Sequence, residues 1–173
     1  MRSPARFDRR GGHTPRVEPQ EISMNLADSA PIPEHVHDIL TDLPTGHIAT
    51  LREDGRISVN PVALLFDGTH VRVSTVKTRM KYKNLMHDDR VAISVPHRNN
   101  PNRYVEIRGR ALVEDDPERT FINEIARVYM DADEYPFDQP GDQRATITII
   151  AEQVSTPAIP LAEDAPGAPD EAS

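Results

Sequence analysis

Residues 46–66, GHIATLREDGRISVNPVALLF, read as a chain that runs out, turns and comes back. Residues 47–51 are strand-like and lead into Asp54-Gly55, a dipeptide that accepts the positive φ of a tight hairpin turn. Beyond it Ile57 and Val59 alternate with Ser58 and Asn60, so the spacing predicts a strand with one wet face. Pro61 is expected to interrupt that strand, and residues 62–66 to continue extended as far as a second turn at Asp67-Gly68.

Upstream, Pro33 suits a first helical turn, and Val36, Ile39, Leu40 and Leu43 recur on one helical face until Gly46 stops it. Downstream, residues 71–76 are β-rich, 78–87 read as a short helix, 90–95 as a strand and 96–103 as a loop. A long strand over 104–113 keeps Val105 and Ile107 on one face. Asp116-Pro117-Glu118 places cap, first-turn proline and acid in order, ahead of a buried stripe of Phe121, Ile122, Ile125 and Tyr129. Residues 145–154, rich in Thr and Ile, close the series. About seven short strands with few helices between them predict a mainly β fold, an antiparallel barrel with a few flanking helices, and not a doubly wound parallel sheet.

The 173 residues suffice for one domain with a core. There is no cysteine, which excludes disulfides and thiolate chemistry. Apolar runs are strand-length, and no apolar stretch follows the N-terminal arginines, so neither a membrane span nor a secretory signal is expected and the location is expected to be cytoplasmic. A net charge of −8 argues against wholesale nucleic-acid binding. Residues 1–23 carry +2 and residues 155–173 carry −4, which leaves −6 between them. Residues 1–23 have too few apolar side chains to build a core and read as a disordered extension or an over-long gene start. Residues 157–173 read as a disordered acidic tail. The domain is expected over residues 24–156, without internal repeats.

Against that acidic background the stretch 73–85, VSTVKTRMKYKNL, stands out. A strand ends in small polar residues, a helix begins near Thr78, and four bases fall between positions 77 and 83. Free N–H groups and the positive end of a helix dipole favour an anion there. On a helix Arg79 and Lys83 share a face, with Lys81 part of the way round. Converging cations would hold a phosphate or carboxylate. Solvated bases on an exposed helix explain the same spacing.

Four segments together carry a family resemblance: Gly46 to Leu51, Asp54 to Val62, the 73–85 stretch, and Tyr104-Val105-Glu106-Ile107-Arg108-Gly109. From Ile32 to about Thr156 the order of elements resembles the pyridoxamine 5′-phosphate oxidase-like family, the FMN-binding split barrel. The oxidase's phosphate-binding Ser-Arg-Lys would fall on Thr78-Arg79-Met80, without the lysine, and its C-terminal arginine motif has no counterpart, the last arginine being Arg144. Arg79, Lys81, Lys83, Asn84 and Leu85 look instead like the Arg-x-Lys-x-(Arg/Lys)-Asn-Leu pattern of the actinobacterial branch that uses the 8-hydroxy-5-deazaflavin coenzyme F420. The resemblance implies a homodimeric oxidoreductase acting on a small molecule, with F420, or FMN as the close alternative, at the subunit interface. Arg79, Lys81 and Lys83 would grip the cofactor phosphate and Ser74 and Thr75 would add contacts, with Asn84 part of the same motif. Ser58, Asn60, Pro61 and Val62 would lie along the tricyclic ring. A non-enzymatic flavin- or haem-binding protein is the third reading, with His70 or His97 as first ligand suspects.

The cofactor would do the hydride chemistry, so no nucleophile is required. Tyr104 and His97 are candidates for a proton donor. His35 and His37 point to different sides of their helix, and His47, His70, His87 and His97 are scattered, so no metal site is expected. Asp131 to Asp138 brackets Tyr135, Pro136 and Phe137. That segment reads either as a solvated loop or as a flexible lip whose aromatics wall a planar substrate.

Overall fold

The computed structural model describes residues 25–157, so the two tails expected from composition lie outside the described residues. Seven strands form one sheet: β1 (Thr45–Leu51), β2 (Ile57–Ala63), β3 (Leu65–Phe66), β4 (Val71–Val76), β5 (Arg90–Pro96), β6 (Tyr104–Asp115) and β7 (Arg144–Ser155). Their order is β2-β1-β5-β6-β7-β4-β3, and every pairing is antiparallel. Three helices flank the sheet: α1 (His37–Thr41), α2 (Met80–His87) and α3 (Thr120–Met130). The sheet curls into the split barrel that the strand count implied. Among the described residues no helix is long and apolar enough to cross a membrane.

The curl is filled by alternating side chains. Ile48, Val73, Ile93, Val95, Val105 and Ile147 are fully buried, and α1 plugs one end with Ile39 and Leu40. A second cluster lies outside the barrel, where Phe121, Ile122 and Ile125 of α3 pack with Ala63, Leu65, Tyr129 and Tyr135. Burial of one such side chain contributes about 1.5–3 kcal/mol, so the α3 stripe alone is a substantial docking energy.

Several local expectations shift for physical reasons. The first helix is shorter than its apolar spacing suggests, because Leu43 adopts φ 47 and Gly46 lies inside β1, where a Cβ would sit 2.8 Å from Ile93 Cδ1. Pro61 does not interrupt β2, because β2 is an edge strand and tolerates a missing N–H. The faces of β2 are the reverse of the polarity pattern: Ser58 is buried, while Ile57 and Val59 are 68% and 58% exposed. α3 begins at Thr120 and not at Pro117, because Arg119 turns left-handed at φ 58. Asp116 still caps it, its carboxylate accepting the N–H groups of Phe121 and Ile122 at 3.2 and 3.3 Å.

The longest ladder joins β6 to β7 and shifts register between Arg108 and Gly109. Gly109 is required there by space, since a Cβ would fall 1.9 Å from the Ile150 carbonyl oxygen, a backbone atom that cannot swing away. Replacing Gly109 by Ala is expected to destabilise the fold by about 3 kcal/mol. Urea denaturation followed by circular dichroism reads this directly, and an unchanged midpoint would refute the close packing.

Candidate functional site

The end of β4 decides where the basic stretch goes. After Val76 the chain turns, Lys77 N–H donating to Gln143 O at 2.9 Å and Arg79 N–H to Val76 O at 3.0 Å. Arg79 is the N-cap of α2 with extended backbone (φ −73, ψ 147), so its side chain does not follow the helical spiral. This separates it from Lys83, with which helical spacing had grouped it. Arg79 and Lys81 line one cavity, and Lys83 lines another groove with Arg52, Asp54, Met80, Asn84 and His87. Lys77 is engaged elsewhere: its Nζ is 2.6 Å from Asp115 Oδ1, which raises its pKa, and it stands 5.9 Å from the Tyr82 ring centre.

The Arg79–Lys81 cavity encloses about 320 Å³. Pro61, Val62 and Ala63 of β2 form one wall, and Ser74, Thr75 and Val76 of β4 form the floor. The third wall is the buried stripe of α3, with Ile122, Ile125 and Tyr129, extended by Met130 and Tyr135. Arg144, at the start of β7 opposite Val76, completes it. Three cations therefore line this space, and no carboxylate does. Burial first, and then the neighbouring charge of Arg79, lower the pKa of Lys81. Among the described residues neither Arg79 nor Lys81 has a carboxylate within ion-pair distance. A cavity of this composition can hold an anionic group on a largely apolar, flat body.

Arg144 is 8% exposed and held from three sides. Its Nε donates to both Asp138 oxygens at 3.1 Å, one terminal nitrogen also pairs with Asp138, and the other donates to Ser74 Oγ at 3.2 Å. The guanidinium carbon lies 4.6 Å from the Tyr135 ring centre. Asp138 is shared with Arg119, whose Nε is 3.2 Å away without the alignment of a hydrogen bond. Arg119 donates to Tyr135 O at 2.8 Å, and Tyr135 N–H donates to Asn123 Oδ1 at 3.0 Å. The segment read either as a solvated loop or as a flexible lip is thus clamped, with Tyr135 lining the cavity and Phe137 65% exposed.

Of the residues singled out in the sequence, Pro61, Val62, Ser74, Thr75, Arg79 and Lys81 meet at this cavity. Ser58 and Asn60 do not line it; Ser58 Oγ accepts from Arg52 Nε at 2.7 Å, and Asn60 pairs with Ile48 in the ladder. Asn84 is buried and donates through Nδ2 to Thr50 Oγ1 at 2.9 Å, which ties α2 to β1. Neither proton-donor candidate reaches the cavity. His97 lines a separate hollow beside α1, its Nδ1 accepting the N–H groups of Asn99 and Asn100, and Tyr104 opens β6 opposite Pro96. His70 Nε2 lies 3.0 Å from Leu26 O. Among the described residues no three His, Asp or Glu side chains group as metal ligands. Sequence reading missed Arg144 as a lining residue. Its signal is a lone charge opening a strand that is otherwise Thr, Ile and Ala through position 151.

Tyr129 fixes the third wall. Its hydroxyl lies 2.7 Å from the carbonyls of Pro44 and Leu64, donating to one of them, and accepts the Leu64 N–H at 3.3 Å. Burial pushes the pKa of this phenol up. The contacts sit at the break between β2 and β3, so the α3 wall is pinned to the β2 wall.

The family model described as pyridoxamine 5′-phosphate oxidase matches residues 32–156. Among solved structures, one named F420 reductase is 31% identical, with a TM-score of 0.63 over 72% of this chain and 98% of that one. A conserved hypothetical protein of Mycobacterium tuberculosis is 21% identical, with a TM-score of 0.59 over 76% of this chain and 88% of that one. General Stress Protein 26 of Bacillus anthracis is 18% identical, with a TM-score of 0.54 over 72% of this chain and 92% of that one. The last two share the fold alone. No curated protein matches the sequence.

The Asp138 clamp has a pH signature. Its hydrogen bonds with Arg144, helped by the charges of Arg144 and Arg119, hold the Asp138 pKa below its ordinary value against the effect of burial. A carboxyl lowered on folding stabilises the protein above its unfolded pKa of about 3.9, and that stability is lost as pH falls through the native value. Asp138→Asn is expected to lower stability by about 2 kcal/mol at pH 7, with the difference from wild type shrinking below about pH 4. Denaturant titrations across pH measure it; a gap that stays constant down to pH 2 would remove the ion pair from the account.

Proposed function

Because the chain belongs to the pyridoxamine 5′-phosphate oxidase family, we propose that it is an oxidoreductase working with the reduced deazaflavin F420 and passing a hydride to a small conjugated or planar acceptor. The observation that carries this reading is the cavity lining: three cations, no carboxylate, and a broad apolar wall, in a chain of net charge −8. Burial disfavours the charge of Lys81, so an anion held between it and the exposed Arg79 would relieve that cost, and a phosphate-bearing tricyclic cofactor supplies both the anion and the flat apolar body.

In this proposal Arg79 and Lys81 hold the cofactor phosphate, while Lys83 lies in the groove beyond α2 and Asn84 anchors that helix to β1. Ser74 and Thr75 add hydroxyl contacts, Pro61 and Val62 lie along the ring, and Ser58 and Asn60 continue the same strand. The coenzyme, when bound, supplies the hydride; the chain binds it, orients it and excludes water. Support for F420 comes from the neighbour at 31% identity that carries the coenzyme in its name, and from Met80, which is 45% exposed and faces the second groove. FMN is the second reading, favoured by the oxidase named in the family description.

The dimer belongs to the same proposal. Ile57 and Val59 present apolar surface on the outside of β2. Beside them Ala49, Leu51 and Ala92 form a shallow hollow of about 220 Å³. A second copy covering this face would remove it from water and close the cofactor sites at the interface. Val59→Asp is expected to yield a monomer in sedimentation velocity, and a variant that stays dimeric would move the interface elsewhere.

Fluorescence titration with F420 and, separately, with FMN tests the cofactor. Tight F420 binding with weak FMN binding is the expected outcome, and Arg79→Ala and Lys81→Ala should each weaken it roughly 10- to 100-fold, the effect of losing a charge-assisted contact. Preference for FMN would transfer the proposal to the second reading. Failure to bind either would end it.

A further inference from the structure

Arg144 is tied to the clamp but not used up by it. A guanidinium has five N–H donors, and its hydrogen bonds to Asp138 and Ser74 account for Nε and one N–H on each terminal nitrogen, with the Tyr135 side chain also close enough to help raise its pKa. The remaining edge belongs to a side chain that lines the cavity, with the Tyr135 ring against one face. Arg119 is also drawn to Asp138, so this corner carries two cations to one carboxylate. The charge is therefore partly offset here, while Arg79 and Lys81 have no carboxylate partner among the described residues. A tetrahedral phosphoryl group favours the pair of cations at Arg79 and Lys81; a planar carboxylate suits the half-compensated, planar fork.

We propose that Arg144 is a second anion-holding residue of this cavity, and that the acceptor it serves is an aromatic carboxylate, its carboxylate on the open edge of the guanidinium and its ring along Tyr135. The inference rests on the reading of the cavity as the reaction site and adds the class of molecule that enters beside the cofactor. Ile122, Ile125 and Met130 supply apolar surface for the rest of such a ring system. Asp138 acts as the internal competitor, a carboxylate that positions the guanidinium and limits how strongly it draws an outside anion.

The test uses the full chain without cofactor and two probes of equal shape, 2-naphthoate and the neutral 2-naphthamide, followed by calorimetry at pH 7. Wild type is expected to prefer the carboxylate about tenfold. Arg144→Gln should erase that preference, and Arg144→Lys, which keeps the charge and loses the fork, should retain part of it. Asp138→Asn removes the competing charge while its amide oxygen still accepts from the guanidinium, and should enlarge the preference, whereas a guanidinium that only clamps the loop would show no preference in either chain. Lys81→Ala should leave the preference in place, while weakening phenyl phosphate binding. No carboxylate preference in wild type, survival of the preference in Arg144→Gln, or its loss in Asp138→Asn would overturn the assignment. F420 titration of the wild-type chain separates the two readings: F420 binding without a naphthoate preference sinks only this inference, and a naphthoate preference without F420 binding sinks only the cofactor.

Discussion

The register of β4 on β7 is the constraint from which the cavity follows. Ser74 opposite Thr146 and Val76 opposite Arg144 put a serine hydroxyl, the start of the basic turn and a buried guanidinium within one short stretch of ladder. A slip of one residue would turn Ser74 and Arg144 to the other face and direct Val73 outward. The slip is opposed from inside the barrel, because Val71, Val73, Ile147 and Ile149 are all fully buried. The hydrophobic interior thus fixes the polar exterior, and the site inherits its accuracy from residues that never touch it.

Charge is distributed against the trend of the chain. An acidic protein retains Arg79, Lys81 and Arg144 around one half-buried space and places the carboxylate that restrains Arg144 behind it, not in it. Lys77, only a few residues away, is matched by Asp115, so the lack of carboxylate partners at Arg79 and Lys81 among the described residues is selective. Desolvating an unmatched ammonium is unfavourable, and the lowered pKa of Lys81 expresses that. Such a space is less comfortable empty than filled by an anion.

Much of this was legible in the sequence. Alternation in 46–66 and the turn dipeptides at Asp54-Gly55 and Asp67-Gly68 specify hairpins because side-chain period and turn backbone are local properties. The basic stretch could be placed at the end of β4 for the same reason. Three features escaped because they depend on distant partners. Arg79 was grouped with Lys83 on a helix it only caps, since an N-cap residue keeps extended backbone. The faces of β2 were read backwards, because burial of Ser58 is decided by β1 and Arg52 and not by the polarity of serine. Arg144 lay unread at the head of an apolar strand, its partners six and seventy positions away.

The place of β7 in the sheet also governs how the fold is reached. It is the last strand among the described residues, yet it lies between β6 and β4, at the junction of the whole sheet. Until it is made, the chain holds two separate pieces, β2-β1-β5-β6 and β4-β3, each with an open edge. Pairings that span some seventy residues close slowly, since the loop must be ordered before the contacts form. A nascent or truncated chain lacking β7 would therefore have neither a closed barrel nor any part of the Arg144 corner, while offering two sticky strand edges to its neighbours. Folding and acquisition of the cavity are one late event, set by the twelve residues of β7.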